Sequence, residues 1–110
     1  MSPWLRTHGP GSRLYNVPFE RVWKAATSLL SPDQGWSVIV ADPTAGMIHV
    51  ERPSRILRRP LHFHLAMELD ENGFTRVDAV FLTPDGERRA LGKRRRARRI
   101  LRRLDRALAT

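Results

Sequence analysis

Between Leu61 and Asp70 the chain alternates without a break. Leu61, Phe63, Leu65, Met67 and Leu69 occupy the odd positions, and His62, His64, Ala66, Glu68 and Asp70 stand between them. A strand projects successive side chains to opposite faces, so this spacing makes one apolar face and one wet face. Asn72-Gly73 follows, and both residues tolerate the positive φ of a tight hairpin. Thr75 to Leu82 then returns, with Val77, Ala79 and Phe81 directed inward and Arg76 and Asp78 outward. A hairpin with one apolar face is not stable alone; another layer must cover it.

A second hairpin is legible upstream. Trp36 to Ala41 reads as a strand with Trp36, Val38 and Val40 on one face and Ser37, Ile39 and Ala41 on the other. Asp42-Pro43-Thr44-Ala45-Gly46 has turn chemistry. Met47 to Arg52 returns with Ile48 and Val50 inward and His49 and Glu51 outward. Leu14 to Val17 is a candidate short leading strand.

Two amphipathic helices are available as the covering layer. From Pro18 to Leu30, residues Phe19, Val22, Trp23, Ala26, Leu29 and Leu30 recur at helical spacing. Pro18 suits the first turn, and Ser31-Pro32 ends the segment because proline disfavours helical geometry in the residue before it. After the breaker Thr83-Pro84-Asp85-Gly86, a long helix runs from Glu87 to Ala109. On a helical wheel Ala90, Ala97, Ile100, Leu101, Leu104, Ala107 and Leu108 fall within about 120° of one another. The expected fold is a single α+β domain over residues 14–110, preceded by a flexible lead-in over 1–13. It is a two-layer sandwich, with a four-stranded antiparallel sheet covered on one face by the N-terminal and the long C-terminal helix.

The second helix also carries the net charge. From Arg88 to Arg106 there are eleven basic residues and one acid, Asp105, a net of +10. The remaining nine basic and ten acidic residues sum to −1, giving +9 for the chain. Arg95, Arg96, Arg99, Arg102, Arg103 and Arg106 lie opposite the apolar stripe, and Arg94 and Arg98 lie along one flank. Eighteen of the twenty basic residues are arginine, whose planar fork pairs bidentately with phosphate and carboxylate. An arginine-rich proteome accounts for the choice of arginine over lysine, but not for its clustering in one segment.

Composition closes off several chemistries. The chain has 110 residues, the length of one domain. At 41% hydrophobic and 28% charged residues it has a globular composition. It has no cysteine, which excludes disulfides, thiolate zinc sites and cysteine catalysis. No apolar run approaches the roughly 18 residues of a membrane span. Met1 to Arg13 lacks the hydrophobic stretch of a signal peptide, so a cytoplasmic protein is expected.

One resemblance is carried by packing residues. Tyr15-x-Val17-Pro18-x-Glu20-x-Val22-Trp23 enters a helix, Gly35-Trp36 begins a strand, Asp42 to Gly46 turns, and Ile48-x-Val50-Glu51 returns. Thr75-Arg76-Val77, Leu91-Gly92 and Arg99-Ile100 follow. Over residues 14 to 108 this pattern resembles a group of small bacterial α+β domains of unknown function. Ala90 and Arg94 stand where that pattern has an acid and an asparagine, so a site built on those polar residues is not carried over. The element order also broadly resembles helix-grip ligand-binding domains. Neither resemblance implies an enzyme.

Candidate sites are few. His62 and His64 share one strand face, and His49 projects to a like face on another strand. Such imidazoles are ligands for zinc, copper or nickel if their strands converge, with Glu51 or Glu68 completing a set. The plainer reading is a solvated sheet face, and no metal or cofactor is expected. Asp70 and Glu71 flank an exposed turn, unsuited to acid–base catalysis. Ser28, Ser31, Ser37 and Ser54 lie in no nucleophile context, and no phosphate-cradling glycine loop is present. Trp23 and Trp36 read as core. Pro53 to Pro60 is a basic, partly apolar loop carrying Arg52, Arg55, Arg58 and Arg59 around Ile56 and Leu57.

The basic helix is left as the substantial signal. Phosphate neutralisation drives nucleic-acid binding by counterion release, while an arginine face supplies positioning with little base readout. Aromatic residues for stacking bases are missing from the helix, so binding would be weakly selective. Anionic lipid and an acidic protein are the other candidate partners. The expectation is a non-enzymatic binding module. The alternative is a scaffold or protein-interaction domain that uses the open sheet face, with the basic helix only a solvated surface.

Overall fold

The computed structural model describes residues 5–7, 11–53, 60–82 and 90–109. The architecture is α+β, with two helices and an antiparallel open sheet. In chain order the elements are β1 (Leu5–Thr7), β2 (Ser12–Tyr15), α1 (Phe19–Leu29), a 3-10 turn (Pro32–Gln34), β3 (Ser37–Asp42), β4 (Met47–Arg52), β5 (Leu61–Leu69), β6 (Thr75–Leu82) and α2 (Ala90–Leu108). Among the described residues the sheet has six strands, in the order β1-β2-β6-β5-β4-β3. β4, β5 and β6 lie where the pattern put them, β3 is shifted and bulged, and two more strands precede α1, so the expected four-stranded sheet is corrected to six strands among the described residues. Leu5 to Thr7 and Ser12 to Arg13, placed before the domain by pattern alone, pair into the sheet here. Between β2 and β6 the partners are far apart in sequence, Ser12 opposite Asp78 and Tyr15 opposite Thr75. The 53–60 loop arginines Arg55, Arg58 and Arg59, the 83–86 breaker and the side chains of Phe81, Ala90 and Arg94 lie outside the described residues.

The alternation of β5 is realised in full up to Met67. Leu61, Phe63, Leu65 and Met67 are buried, and Ile48 and Val50 of β4 and Val77 and Ala79 of β6 join them. Against this face pack Val22 and Ala26 of α1, and Ala97, Leu101, Leu104 and Leu108 of α2. Those four α2 positions are spaced by four, three and four residues, one stripe of a 3.6-residue helix. Truncating a side chain such as Leu101 or Phe63 to alanine should cost about 2–5 kcal/mol, through lost transfer energy and the cavity left behind.

The start of α1 is set by Pro18, which stands just before the first helical residue with φ −56° and ψ 145°. Gly46 closes the β3–β4 turn with φ +66°, and an added Cβ would overlap the carbonyl oxygen of Met67. Met67 in turn donates its backbone N–H to the Gly46 carbonyl at 2.6 Å. Only glycine lets the turn lie so close to β5.

One strand departs from its expected pattern. In β3, Val38 pairs with Val50 but Val40 pairs with His49, with Ile39 left between them. A bulge of one residue reverses which face the later side chains meet. Val38 and Val40 therefore do not share a buried face: Val38, Ile39 and Val40 are 46%, 50% and 37% exposed. The physical reason is position, since β3 is the sheet edge. Trp36 is buried as expected, but it lies just before the strand.

Candidate anion-binding face

With the Ala97, Leu101, Leu104 and Leu108 stripe committed to the core, the other side of α2 must face outward. Arg95, Arg99, Arg102, Arg103 and Arg106 are exposed, and Arg96 is half-buried. Arg98, on the flank, is exposed too. The helix has 19 residues, about 28 Å at 1.5 Å per residue. The one acid of α2 is not part of this face. Asp105 turns toward β2, where its Oδ1 accepts a hydrogen bond from the Tyr15 hydroxyl at 2.5 Å. Its Oδ2 lies 3.6 Å from Nε of Arg13, on a side chain only 10% exposed. The Tyr15 phenol is pushed well above its ordinary range, first by burial and then by its bond to Asp105 and that carboxylate's charge. It therefore stays a neutral donor.

The sequence reading missed one member of the basic face. Arg52 ends β4, and its guanidinium carbon lies 4.5 Å above the centre of the Trp36 ring. Its cationic form is disfavoured by burial first, and then by the charges of Arg96, Arg99 and Arg103. The bulge explains how Arg52 arrives there. Ser37 pairs with Glu51, so one residue further sets Trp36 opposite Arg52 and directs both toward the helices. Close by, Arg103 Nη2 donates to Gln34 Oε1 at 3.1 Å. Counting hairpin partners straight from the turn, with no bulge, would have paired Arg52 with Ser37. Among the described residues no carboxylate forms an ion pair with Arg52, Arg96, Arg99 or Arg103.

The opposite sheet face is chemically different. His49 and His64 are register partners, as are Glu51 and His62. The three imidazoles converge: His49 Nε2 and His62 Nδ1 are 3.0 Å apart, and the rings of His49 and His64 are centred 5.8 Å apart. His62 Nε2 is 3.6 Å from Glu51 Oε2. The close nitrogens of His49 and His62 point at each other and share a proton, so their lone pairs do not meet at a common point. Among the described residues no group of three or more His, Asp or Glu is arranged to hold a metal ion. Burial lowers the pKa of His49, and His62 and His64 lower it further. Elsewhere on this face Arg76 Nε lies 3.1 Å from Asp78 Oδ2, and Ser12 donates to the same carboxylate.

A cavity of about 340 Å³ lies between the start of α1 and the β3–β4 turn, walled by Phe19, Met67 and Leu69. Thr44 and Glu68 are its polar side chains. Among the described residues no helix is long and apolar enough to cross a membrane. In comparisons with known proteins, no family model and no curated protein matches the chain.

Proposed function

We propose that this protein is a non-enzymatic binding module that presents the arginine face of α2 to an anionic partner, a nucleic acid or an anionic surface. Its fold is read as two layers, with the helices over one sheet face, and that arrangement turns the arginines outward. One observation supports the reading above the others. Arg95, Arg96, Arg99, Arg102, Arg103 and Arg106 project from a helix whose opposite side is core, while Asp105 is drawn inward and neutralises none of them. The charge is mounted in a fixed orientation and lacks a counter-ion on its own helix.

Binding to a labelled oligonucleotide or to anionic vesicles should weaken steeply with salt, with log K falling linearly in log salt. Changing the six arginines together to glutamine should abolish it while leaving the circular dichroism spectrum of the fold unchanged. Binding that is indifferent to salt, or that survives the sixfold change, would sink the proposal. A second reading is favoured by the uncovered sheet face: a protein partner meets the His62 and His64 side, next to the exposed β3 edge. That partner would be retained after the arginine changes and lost on changing His62 and His64.

A further inference from the structure

The basic face is uneven, and its middle is built differently from its ends. Arg102 and Arg106 are exposed on α2. Arg103 meets a second element, because it donates to Gln34, and Gln34 lies two residues before the ring that Arg52 covers. Arg99 and Arg96 follow on the same side of the helix, about 6 and 10 Å of rise from Arg103. Arg52 feels the charge of all three. Its guanidinium is seated over a side chain that is itself 4% exposed. A fork held in this way loses less freedom on pairing than one that swings in solvent.

Four guanidinium groups at one corner repel, and the chain offers no acid to compensate them among the described residues. Arg13 is the contrast within the same molecule. Arg13 is buried where Arg52 is half-buried, and there the chain places Asp105 of α2 beside it. The missing counter-charge at Arg52 is what an external oxyanion would supply.

We propose that the corner framed by Arg52, Arg96, Arg99 and Arg103 is a phosphate seat, and that its occupant is a backbone phosphate of a nucleic acid. This inference rests on the basic-face reading and deepens it, by giving that face a preferred point of attachment. Nucleic acid is favoured over lipid by two observations. The buried apolar residues of α2 are committed to the sheet, so the helix has no apolar side to lay into a membrane. The exposed Arg95, Arg102 and Arg106 continue from the seat along the helix, positions from which successive phosphates of one strand can be met. The phosphates position the polymer without reading its sequence.

The test compares Arg52→Gln with Arg106→Gln, using a fluorescein-labelled DNA duplex over a salt series and phosphatidylserine vesicles in parallel. Loss of one ordinary phosphate contact weakens binding uniformly across sequences and lowers the salt slope by about one. Arg106→Gln should show that loss and no more. Arg52→Gln should weaken duplex binding about tenfold or more at fixed salt, with vesicle binding changed no more than in Arg106→Gln. Inorganic phosphate should raise the Tm of the wild type and fail to raise that of Arg52→Gln, a readout that does not depend on polymer binding. Arg52→Lys keeps the charge and loses the fork, and should resemble Arg52→Gln. If wild type binds duplex with a steep salt slope but Arg52→Gln equals Arg106→Gln, the seat is overturned and the basic-face reading stands. Arg52→Lys matching wild type also overturns the seat. Vesicle binding without duplex binding overturns the nucleic-acid occupant. If wild type binds neither, the basic-face reading itself fails.

Discussion

Asp105 is the residue whose role is least visible in isolation. In sequence it interrupts a run of arginines and reads as a partial surface neutraliser. In the folded chain it receives the Tyr15 hydroxyl and faces Arg13, fixing α2 against β2 across about ninety residues of chain. Removing one partner of a buried ion pair leaves the other charge uncompensated, at about 3–5 kcal/mol for a fully enclosed pair. Asp105 is 20% exposed, so solvent offsets part of this. Asp105→Asn should lower unfolding stability by about 2 kcal/mol in a urea titration. A loss under about 0.5 kcal/mol, the range of ordinary surface changes, would show that the contact does not hold the helix. The lesson about legibility is physical. The residue type of Asp105 was plain, but its partners lie on β2, which pairs with β6 far along the chain, Tyr15 opposite Thr75. No local pattern encodes that pairing.

Elements differ in how openly their sequences declare them. In β5 large apolar residues alternate with His62, His64, Ala66 and Glu68, so one register buries Leu61, Phe63, Leu65 and Met67. The α2 stripe is realised in part: Ala97, Leu101, Leu104 and Leu108 are buried, while Ile100 is half-buried and Ala107 is exposed. In β3, Val38, Ile39 and Val40 are all apolar, and no polar residue stands among these three to mark an outward position. The strand can slip by a bulge with little penalty, and at the sheet edge it does. That slip brings Arg52 opposite Trp36, so the most organised part of the candidate site was hidden behind the least informative strand. The β4–β5 pair carries a second element-scale consequence. His49 has its pKa lowered below the ordinary 6.5 by burial and by His62 and His64, with Glu51 opposing. An unfolded chain takes up the His49 proton as pH falls through 6.5, while the folded chain resists until lower pH. Stability from this group is therefore complete above that value and is lost on acidification toward the folded pKa. Tm should fall as pH is lowered from 7 to 5, and His49→Asn should flatten the decline. An unchanged slope in His49→Asn would place the acid sensitivity in other groups.

For the whole molecule, charge and stability pull in opposite directions. A nearly neutral body carries a helix whose arginines are neighbours at three- and four-residue spacings. Each like-charged pair costs a few tenths of a kcal/mol. Arg99 alone has Arg95, Arg96, Arg102 and Arg103 at those spacings. The repulsion is tolerated because the buried side of the same helix closes the core. Deleting α2 would therefore unfold the domain and erase binding together, leaving the two roles inseparable. Substitution on the outer side alone separates them. With Arg95, Arg96, Arg99, Arg102, Arg103 and Arg106 changed to glutamine, the core stripe is untouched and the repulsion is gone. That protein should melt higher than wild type at low ionic strength. The gap should narrow as salt rises to about 0.15 M, where charges more than about 8 Å apart are screened. Calorimetry at several salt concentrations measures both trends. A wild-type Tm that is higher at every salt, or independent of salt, would mean that the arginines are compensated within the chain. No uncompensated guanidinium is then left for an external anion to meet, and the proposed function loses its physical basis.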